Sequence, residues 1–87
     1  MRIMLHSRIE TTITSLNPDC TGSITIDSAL MEARDILEHE QVHVLNKNNG
    51  ERFITYAISG KGVCLNGAAA RLGEVGDSII ILTYEIK

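Results

Sequence analysis

The chain has 87 residues, of which 44% are hydrophobic and three are aromatic, and its formal net charge is −3. A chain of this length forms at most one domain, here residues 1–87, and its thin core has to be built from aliphatic side chains. We therefore expect some apolar surface to be buried against other subunits. The mild acidity disfavours nucleic acid and anionic membranes as partners. The longest apolar run, residues 79–82, is too short to span a bilayer.

The N-terminal segment favours a cytoplasmic location, and that location bears on the state of the cysteines. Residues 1–8 turn polar before the apolar core of a signal peptide would be complete. The two cysteines are Cys20 and Cys64, and in a cytosolic protein free thiols are expected. The cysteines and the scattered histidines show no spacing typical of a metal site, and the chain has no glycine-rich phosphate loop.

Residues 3–14 alternate in the manner of a half-buried strand. One face is predicted to carry Ile3, Leu5, Ile9, Thr11 and Ile13. The opposite face is predicted to carry Met4, His6, Arg8, Glu10 and Thr12. A solvated face is the ordinary interpretation of this second set, and a binding face is the alternative. Residues 16–21 are then predicted to form a loop around the single proline.

The middle of the chain combines short strands with one helix. Residues 23–26 are predicted as a strand, and Asp27-Ser28 as a helix start, because either side chain can accept from the free amides of the first turn. Helix-forming residues continue through 29–37. Residues 41–45 are the next predicted strand, and Asn48-Asn49-Gly50 is the clearest hairpin signal in the chain.

The strand after the hairpin, residues 51–58, is predicted to place Arg52 and Tyr56 on one face and Thr55 on the other. Arg52 and Tyr56 would then stand about 13 Å apart along the strand. Residues 63–65, a helical segment at 68–72, a turn at 73–77 and a strand at 78–86 complete the chain. Six short strands with two short helices predict a mainly β fold that closes into a barrel.

Residues that can carry chemistry are scattered through these elements, and each is weak evidence by itself. They are Gly22-Ser23, Arg8, Arg52, Thr55, Tyr56 and the run Asn66-Gly67-Ala68-Ala69-Ala70. Three separated segments that contain most of them resemble the aspartate 1-decarboxylase family in their order, their spacing and the identity of their residues. These segments are residues 21–27, 48–56 and 65–70.

That resemblance implies a six-stranded double-psi β-barrel made as a proenzyme, with Gly76-Asp77 as the glycine–aspartate turn of such barrels. It also implies autocatalytic cleavage between Gly22 and Ser23 into residues 1–22 (β chain) and 23–87 (α chain). The Ser23 hydroxyl attacks the Gly22 carbonyl, and elimination leaves a pyruvoyl group at position 23 as the covalent cofactor, without a metal. By likeness, Thr55 polarises the Gly22 carbonyl and Asn66 lines the processing site.

The reaction that the resemblance implies is decarboxylation of L-aspartate to β-alanine and carbon dioxide, for pantothenate and coenzyme A synthesis. The pyruvoyl group from Ser23 would form a Schiff base with the substrate amine. Arg52 would bind a substrate carboxylate, and Tyr56 would be the proton donor. The resemblance assigns substrate contacts also to Arg8, Gly67, Ala68 and Ala69, and implies a homotetramer with sites between subunits.

Three positions depart from the residues usual in that family. Arg8 replaces a lysine, Glu10 replaces a histidine, and Cys20 replaces a tyrosine just before the bond to be cut. These changes bear on rate, affinity and cleavage efficiency more than on the class of reaction. They also support an alternative, an uncleaved or inactive barrel that serves as a binding or assembly module. A barrel similar to small transcription regulators is disfavoured by the acidic charge, and the need for a maturation factor stays open.

Overall fold

The computed structural model describes residues 1–19 and 22–87, and most of its regular structure is β-strand. The strands are β1 (Ile3–Thr12), β2 (Ser15–Asn17), β3 (Ser23–Asp27), β4 (Gln41–Asn46), β5 (Arg52–Gly60), β6 (Cys64–Asn66) and β7 (Ser78–Ile86). The helices are α1 (Ser28–Ala33) and a 3₁₀ helix (Gly67–Leu72). The prediction of a mainly β fold with short helices is confirmed. The expectation about Cys20 lies outside the described residues.

The seven strands are hydrogen-bonded in the order β1-β7-β4-β5-β3-β6-β2. The prediction of six strands closed into a barrel is therefore wrong for this structure, because the order has two ends and the predicted strand 3–14 is broken. The break falls at Ile13 and Thr14: the Ile13 amide donates to the Asp77 carbonyl, 3.0 Å away, and the Thr14 amide to the Val63 carbonyl, 2.8 Å away. The chain thus passes from one end of the sheet to the other within two residues.

An irregularity in β1 changes which of its side chains face outward. The pairing of β1 with β7 shifts between Leu5, which lies opposite Tyr84, and Ser7, which lies opposite Thr83. An inserted residue of this kind reverses the alternation on either side of it. Ile9 is consequently buried as predicted, whereas Ile3 and Leu5 are 74% and 55% exposed. The prediction that Ile3 and Leu5 share a face with Ile9 is wrong for this reason.

The core lies under the inner face of the sheet and is aliphatic. In β4, Val42 and Val44 are fully buried, and they alternate with the half-buried His43 and Leu45 as predicted. Fully buried residues of the neighbouring strands complete the layer: Ile24, Ile26, Leu65, Ile79 and Ile81. Burying each of these side chains contributes roughly 1.5–3 kcal/mol. This layer holds β3 rigidly between β5 and β6.

Local signals set the ends of the middle elements. The Asp27 carboxylate accepts from the Ala29 amide at 2.9 Å and begins α1 as predicted. The helix ends at Ala33 rather than at residue 37, since Asp35 adopts a left-handed φ of 55°. The hairpin prediction is confirmed: Gly50 has a φ of 77° in the turn that joins β4 to β5.

The Gly76-Asp77 pair forms a turn that fastens the β1–β2 link. Gly76 has a φ of 97°, and its amide donates to the Ile13 carbonyl at 2.8 Å. The Asp77 carboxylate accepts from the Asn46 carboxamide at 2.8 Å and from the Glu74 amide at 2.9 Å. These two hydrogen bonds hold the pKa of Asp77 below its usual range.

Within the described ranges, no helix combines the length and hydropathy needed to cross a membrane.

Candidate active site

Ser23 is the first residue of β3, and its hydroxyl is enclosed. The side chain is 1% exposed, because β3 pairs with β5 on one side and with β6 on the other. The antiparallel register with β6 places Ser23 directly opposite Asn66. The Asn66 Nδ2 donates a hydrogen bond of 2.9 Å to Ser23 Oγ, so the buried hydroxyl has a partner. Two residues that lie far apart in the sequence are thus in direct contact.

Ser23 and Asn66 belong to a larger group of polar side chains. Thr25 and Cys64, the next cross-strand pair on the same face, complete a polar quartet of Ser23, Thr25, Cys64 and Asn66. Asn66 Nδ2 also donates to Thr25 Oγ1 at 2.9 Å, and Cys64 Sγ donates to Asn66 Oδ1 at 3.3 Å. Cys64 carries a free thiol. The Asn66 carboxamide is therefore the centre of the quartet.

Gly22, next to Ser23, lines a concave surface that encloses a volume of about 380 Å³. The surface is lined by Gly22, Phe53, Ile54, Thr55, Tyr56, Ala68, Ala69 and Leu72. A Cβ added at Gly22 would meet no heavy atom of the other described residues within 4 Å, so these residues leave the backbone here approachable. Five of the predicted site residues share this wall. A larger concavity of about 580 Å³ lies against the Asn48-Asn49 turn, away from Ser23, so volume alone does not identify the site.

The 3₁₀ helix brings the alanines to the concave surface. Gly67, which begins the helix, has a φ of 61°, a conformation that favours glycine because it has no Cβ. It follows Asn66 directly, so the turn that brings Ala68 and Ala69 to the concave surface also positions the residue whose carboxamide faces Ser23. The predicted run from Asn66 to Ala69 is therefore one continuous part of the site.

Tyr56 and Thr55 both line the concave surface, although they alternate along β5. Tyr56 packs edge-to-face against the His39 ring, with ring centroids 6.0 Å apart. Thr55 lies opposite Val42 of β4 and is half-buried. Arg52 points elsewhere: its Nη2 donates to Tyr84 Oη at 3.2 Å and lies 3.2 Å from His43 Nδ1. Arg52 is not one of the described residues that line the concavity.

Arg8 is held on β1 by an ion pair with Glu10. Arg8 Nη2 lies 2.6 Å from Glu10 Oε1, and Lys47 Nζ lies 3.9 Å from the same oxygen. The hydrogen bond and charge of Arg8 keep the pKa of Glu10 below its usual range. Strand β1 is three places from β5 in the sheet, or roughly 14 Å at the usual strand spacing. A single chain therefore does not bring Arg8 to the surface beside Gly22.

Arg8, Arg52 and Tyr56 share one side of the molecule, which we call the outer sheet face. Its apolar members alternate with the buried residues of β1, β7, β4 and β5. They are Ile3, Leu5, Leu45, Ile54, Ile80, Leu82, Tyr84 and Ile86. Ile54 and Ile86 are 58% and 69% exposed. Exposed apolar side chains grouped on one face in this way are typical of a surface that meets another protein surface.

Thr25 and Cys64 are the members of the site that the sequence reasoning missed. Strand periodicity places Thr25 on the face of Ser23 and Cys64 on the face of Asn66. The signal needed to join the two pairs is the register of β3 against β6, which depends on the whole sheet. Thr25 also lacks any distinguishing motif of its own.

A family model described as aspartate decarboxylase matches residues 1–87. An aspartate 1-decarboxylase from Syntrophomonas wolfei is 53% identical over 91 residues, which cover 99% of this chain and 77% of the relative. One from Thermoanaerobacter pseudethanolicus is 56% identical over 90 residues, covering 98% and 77%. One from Caldicellulosiruptor saccharolyticus is 56% identical over 86 residues, covering 93% and 67%. The similarity extends over the scaffold and the candidate site alike.

Proposed function

This chain belongs to the aspartate decarboxylase family, and we propose that it prepares its own pyruvoyl cofactor by cutting the bond between Gly22 and Ser23. It is an enzyme, a decarboxylase that acts on aspartate. The observation that carries the proposal is the contact of 2.9 Å between the Asn66 carboxamide and the buried Ser23 hydroxyl, beside an open Gly22. The product is β-alanine, which serves the synthesis of pantothenate and coenzyme A.

The residues at the bond fit the formation of a pyruvoyl group. Attack by Ser23 Oγ on the preceding carbonyl closes a five-membered ring, so the nucleophile needs no large movement. Gly22 leaves that carbonyl accessible, since it carries no Cβ. Ser23 is excluded from water, which limits competing hydrolysis of an ester formed there. Residues 1–22 and 23–87 are the two expected products.

The cleavage balances without an outside reagent other than water. The Ser23 Oγ bonds to the Gly22 carbonyl carbon, the carbon–nitrogen bond breaks, and the hydroxyl proton ends on the freed amine. The Ser23 Cα then loses a proton, and Gly22 departs from Cβ as a carboxylate. Water replaces the nitrogen, which leaves as ammonia. Serine suits this sequence because one oxygen is first the nucleophile and then the leaving atom.

Asn66 and Thr55 have separate roles in the cleavage. One amide hydrogen of Asn66 is aimed at Ser23 Oγ, and we assign it the stabilisation of negative charge near that atom. Thr55 lines the same concavity as Gly22, and its hydroxyl is assigned to polarise the Gly22 carbonyl. Both assignments follow the resemblance noted in the sequence, and the proximity of the residues supports them.

In the decarboxylation, the pyruvoyl group supplies an electron sink to which the amino group of the substrate is joined. Tyr56 donates a proton to the carbon that loses carbon dioxide, since this residue lines the concave surface together with Gly22. Ala68 and Ala69 form a small-residue wall of the concavity that leaves room for a short substrate, and we assign Gly67, which precedes them, to the same part of the site. No step in this scheme requires a metal.

Arg52 and Arg8 bind the substrate carboxylates in this proposal, and a second copy of the chain completes the site. Both arginines lie on the outer sheet face, whereas Ser23 is buried in β3, between β5 and β6. The exposed apolar residues around them, including Ile54 and Ile86, support burial of that face in a homotetramer. A planar guanidinium is well suited to a carboxylate because it donates two parallel hydrogen bonds.

The finer fold and the location are part of the same proposal. The amides of Ile13 and Thr14 donate to carbonyls just before β7 and β6, so β1 and β2 act as one bent strand, which supports the double-psi topology of the family without the closed six-stranded sheet. The cytoplasm stays the predicted location.

Replacement of Ser23 by alanine tests the proposal. We expect Ser23→Ala to remain a single chain and to form no β-alanine from L-aspartate, because alanine has no oxygen to attack or to leave. Ser59→Ala is the matched control, since it removes a strand hydroxyl bonded to Ser28 rather than to the quartet. Turnover by Ser23→Ala would refute the pyruvoyl mechanism. A parent chain that stays intact and inactive would favour the binding or assembly module.

A further inference from the structure

We infer that Thr25 and Cys64 are positioning residues for self-cleavage, because together they turn the NH₂ end of the Asn66 carboxamide toward Ser23. The inference rests on the proposed cut between Gly22 and Ser23 and assigns that reaction two further residues. Among the side chains of residues 1–19 and 22–87, the carboxamide bonds to those of Ser23, Thr25 and Cys64.

The orientation of Asn66 matters because Ser23 Oγ changes its role during the cleavage. After the acyl shift this atom is the ester oxygen, and in the elimination it leaves with a growing negative charge. An N–H group aimed at it stabilises that charge. A carboxamide turned the other way would present its oxygen, which repels the same charge. The two orientations of Asn66 therefore have opposite effects on the step that breaks the chain.

Ser23 itself does not select the orientation. A hydroxyl can donate to the carboxamide oxygen as readily as it accepts from the NH₂ group. Water contributes little, since Ser23 is 1% exposed and Asn66 is 6% exposed. The Thr25 hydroxyl is equally able to donate or accept, so the orientation is set by the Cys64 thiol beside the carboxamide oxygen, and Thr25 then accepts the second amide hydrogen.

Cys64 and Thr25 each bind one end of the carboxamide. Cys64 Sγ lies 3.3 Å from Asn66 Oδ1 and 3.7 Å from the Leu65 carbonyl, so the thiol faces two oxygens and acts as a donor. Thr25 Oγ1, 2.9 Å from Asn66 Nδ2, accepts the amide hydrogen that Ser23 does not use. In this arrangement every hydrogen-bonding group of the carboxamide is satisfied, which favours the orientation that serves Ser23.

Thr25→Val and Cys64→Ala test the inference in the freshly made full-length chain. Valine keeps the shape of threonine and removes the hydroxyl. The measurement is the rate at which the 23–87 fragment appears, followed by mass spectrometry. We expect each variant to slow that rate about fivefold, the factor that corresponds to about 1 kcal/mol for one lost hydrogen bond. Thr25→Ser and Cys64→Ser, which supply a hydroxyl at the same positions, should recover most of the rate.

Two controls separate positioning from a general effect on the fold. Ser59→Ala loses a hydroxyl bond to Ser28 outside the quartet and should cleave at the parental rate. In an Asn66→Ala background, Thr25→Val and Cys64→Ala should add no further slowing, because the group that they orient is gone. Urea unfolding of each variant reports any loss of stability separately.

The outcomes are distinct for the two proposals. Parental cleavage rates in both Thr25→Val and Cys64→Ala, with Ser23→Ala still intact, would overturn the inference and leave the proposed function standing. Equal slowing by either variant with and without Asn66 would also overturn it. A parent chain that never divides would overturn both. If Thr25→Val does not fold, Cys64→Ala and its serine counterpart decide the question by themselves.

Discussion

Replacing Asn66 by alanine removes three hydrogen bonds from the polar quartet in one change. Two of them are the contacts of 2.9 Å from Asn66 Nδ2 to Ser23 and Thr25, and the third is the weaker thiol contact from Cys64. At about 1 kcal/mol for an ordinary hydrogen bond, the free energy of unfolding should fall by roughly 2–3 kcal/mol. Ser23 Oγ is also left buried without its donor, so the fall in the free energy of unfolding should lie toward the upper end of that range.

The effect on cleavage should be larger than the effect on stability. An N–H donor at an atom that develops negative charge is worth a factor of roughly a hundred to a thousand in rate. Asn66→Ala should therefore fold, resist urea less well than the parent, and divide at Gly22-Ser23 at least a hundredfold more slowly. The rate is read from the masses of intact chain and fragments over time, and the stability from urea unfolding of freshly made, uncleaved parent and Asn66→Ala chains, both of which keep the Ser23 hydroxyl.

Asn66→Asp is the matched variant, because it keeps an oxygen for Cys64 and removes the NH₂ group. Both Asn66 variants should cleave slowly if the amide hydrogens act at Ser23. Parental cleavage in Asn66→Ala would refute this reasoning about the carboxamide. Fast cleavage in Asn66→Asp with slow cleavage in Asn66→Ala would instead show that only the volume of the side chain matters.

Three further predictions concern the charges and the outer sheet face. Glu10→Gln should lower KM for L-aspartate, because it releases Arg8 from the ion pair. Arg8 lowers the pKa of Glu10, so the parent loses the ion pair only as pH falls through that lowered pKa. The difference in KM between the variant and the parent should therefore become smaller at that low pH. A higher KM in Glu10→Gln would contradict a binding role for Arg8. For His6, partial burial opposes charging, but hydrogen bonds to a loop carbonyl and to Glu85 raise its pKa above 6.5. The contribution of His6 is the difference in free energy of unfolding between the parent and His6→Ala, measured in urea. This difference should be greatest below pH 6.5 and disappear as pH rises through the raised pKa of His6. A difference that grows with pH would contradict the raised pKa. Ile86→Lys, at a site that is 69% exposed, should leave the chain folded and shift it to smaller species in light scattering, while an unchanged assembly would exclude this end of the outer sheet face from the interface.

Local patterns predicted those parts of the fold that depend on neighbouring residues in the sequence. The alternation of Val42 and Val44, the left-handed Gly50 of the hairpin and the Asp27 cap of α1 are all present. Each of these features is decided within a few residues, by strand periodicity, turn geometry or a free helix amide. The same patterns do not show which strands pair with each other.

The features that the patterns did not predict depend on distant parts of the chain. The irregularity at His6 exists only in the pairing of β1 with β7, and it reverses the faces of Ile3 and Leu5. The break at Ile13 and Thr14 is set by carbonyl partners near β7 and β6. An alternating sequence is compatible with one long strand, and only the partners decide where that strand bends.

The candidate site also has parts that the sequence predicted and parts that depend on distant strands. Gly22-Ser23 and the run that begins at Asn66 were identified by resemblance to a family, and the register of β3 against β6 brings Ser23 and Asn66 into contact. Thr25 and Cys64 become visible only through that register. Periodicity correctly placed Arg52 and Tyr56 on one face of β5. It does not indicate that Arg52 turns toward Tyr84, away from the concavity at Gly22.

The mass of the purified, active protein under denaturing conditions tests the central claim most directly. The account predicts two fragments divided between Gly22 and Ser23, with the larger fragment lighter by one ammonia than a peptide that begins with serine. Treatment with a hydride reductant should add two hydrogens to that fragment, because a ketone is present. A single intact 87-residue chain in a preparation that forms β-alanine would contradict the account.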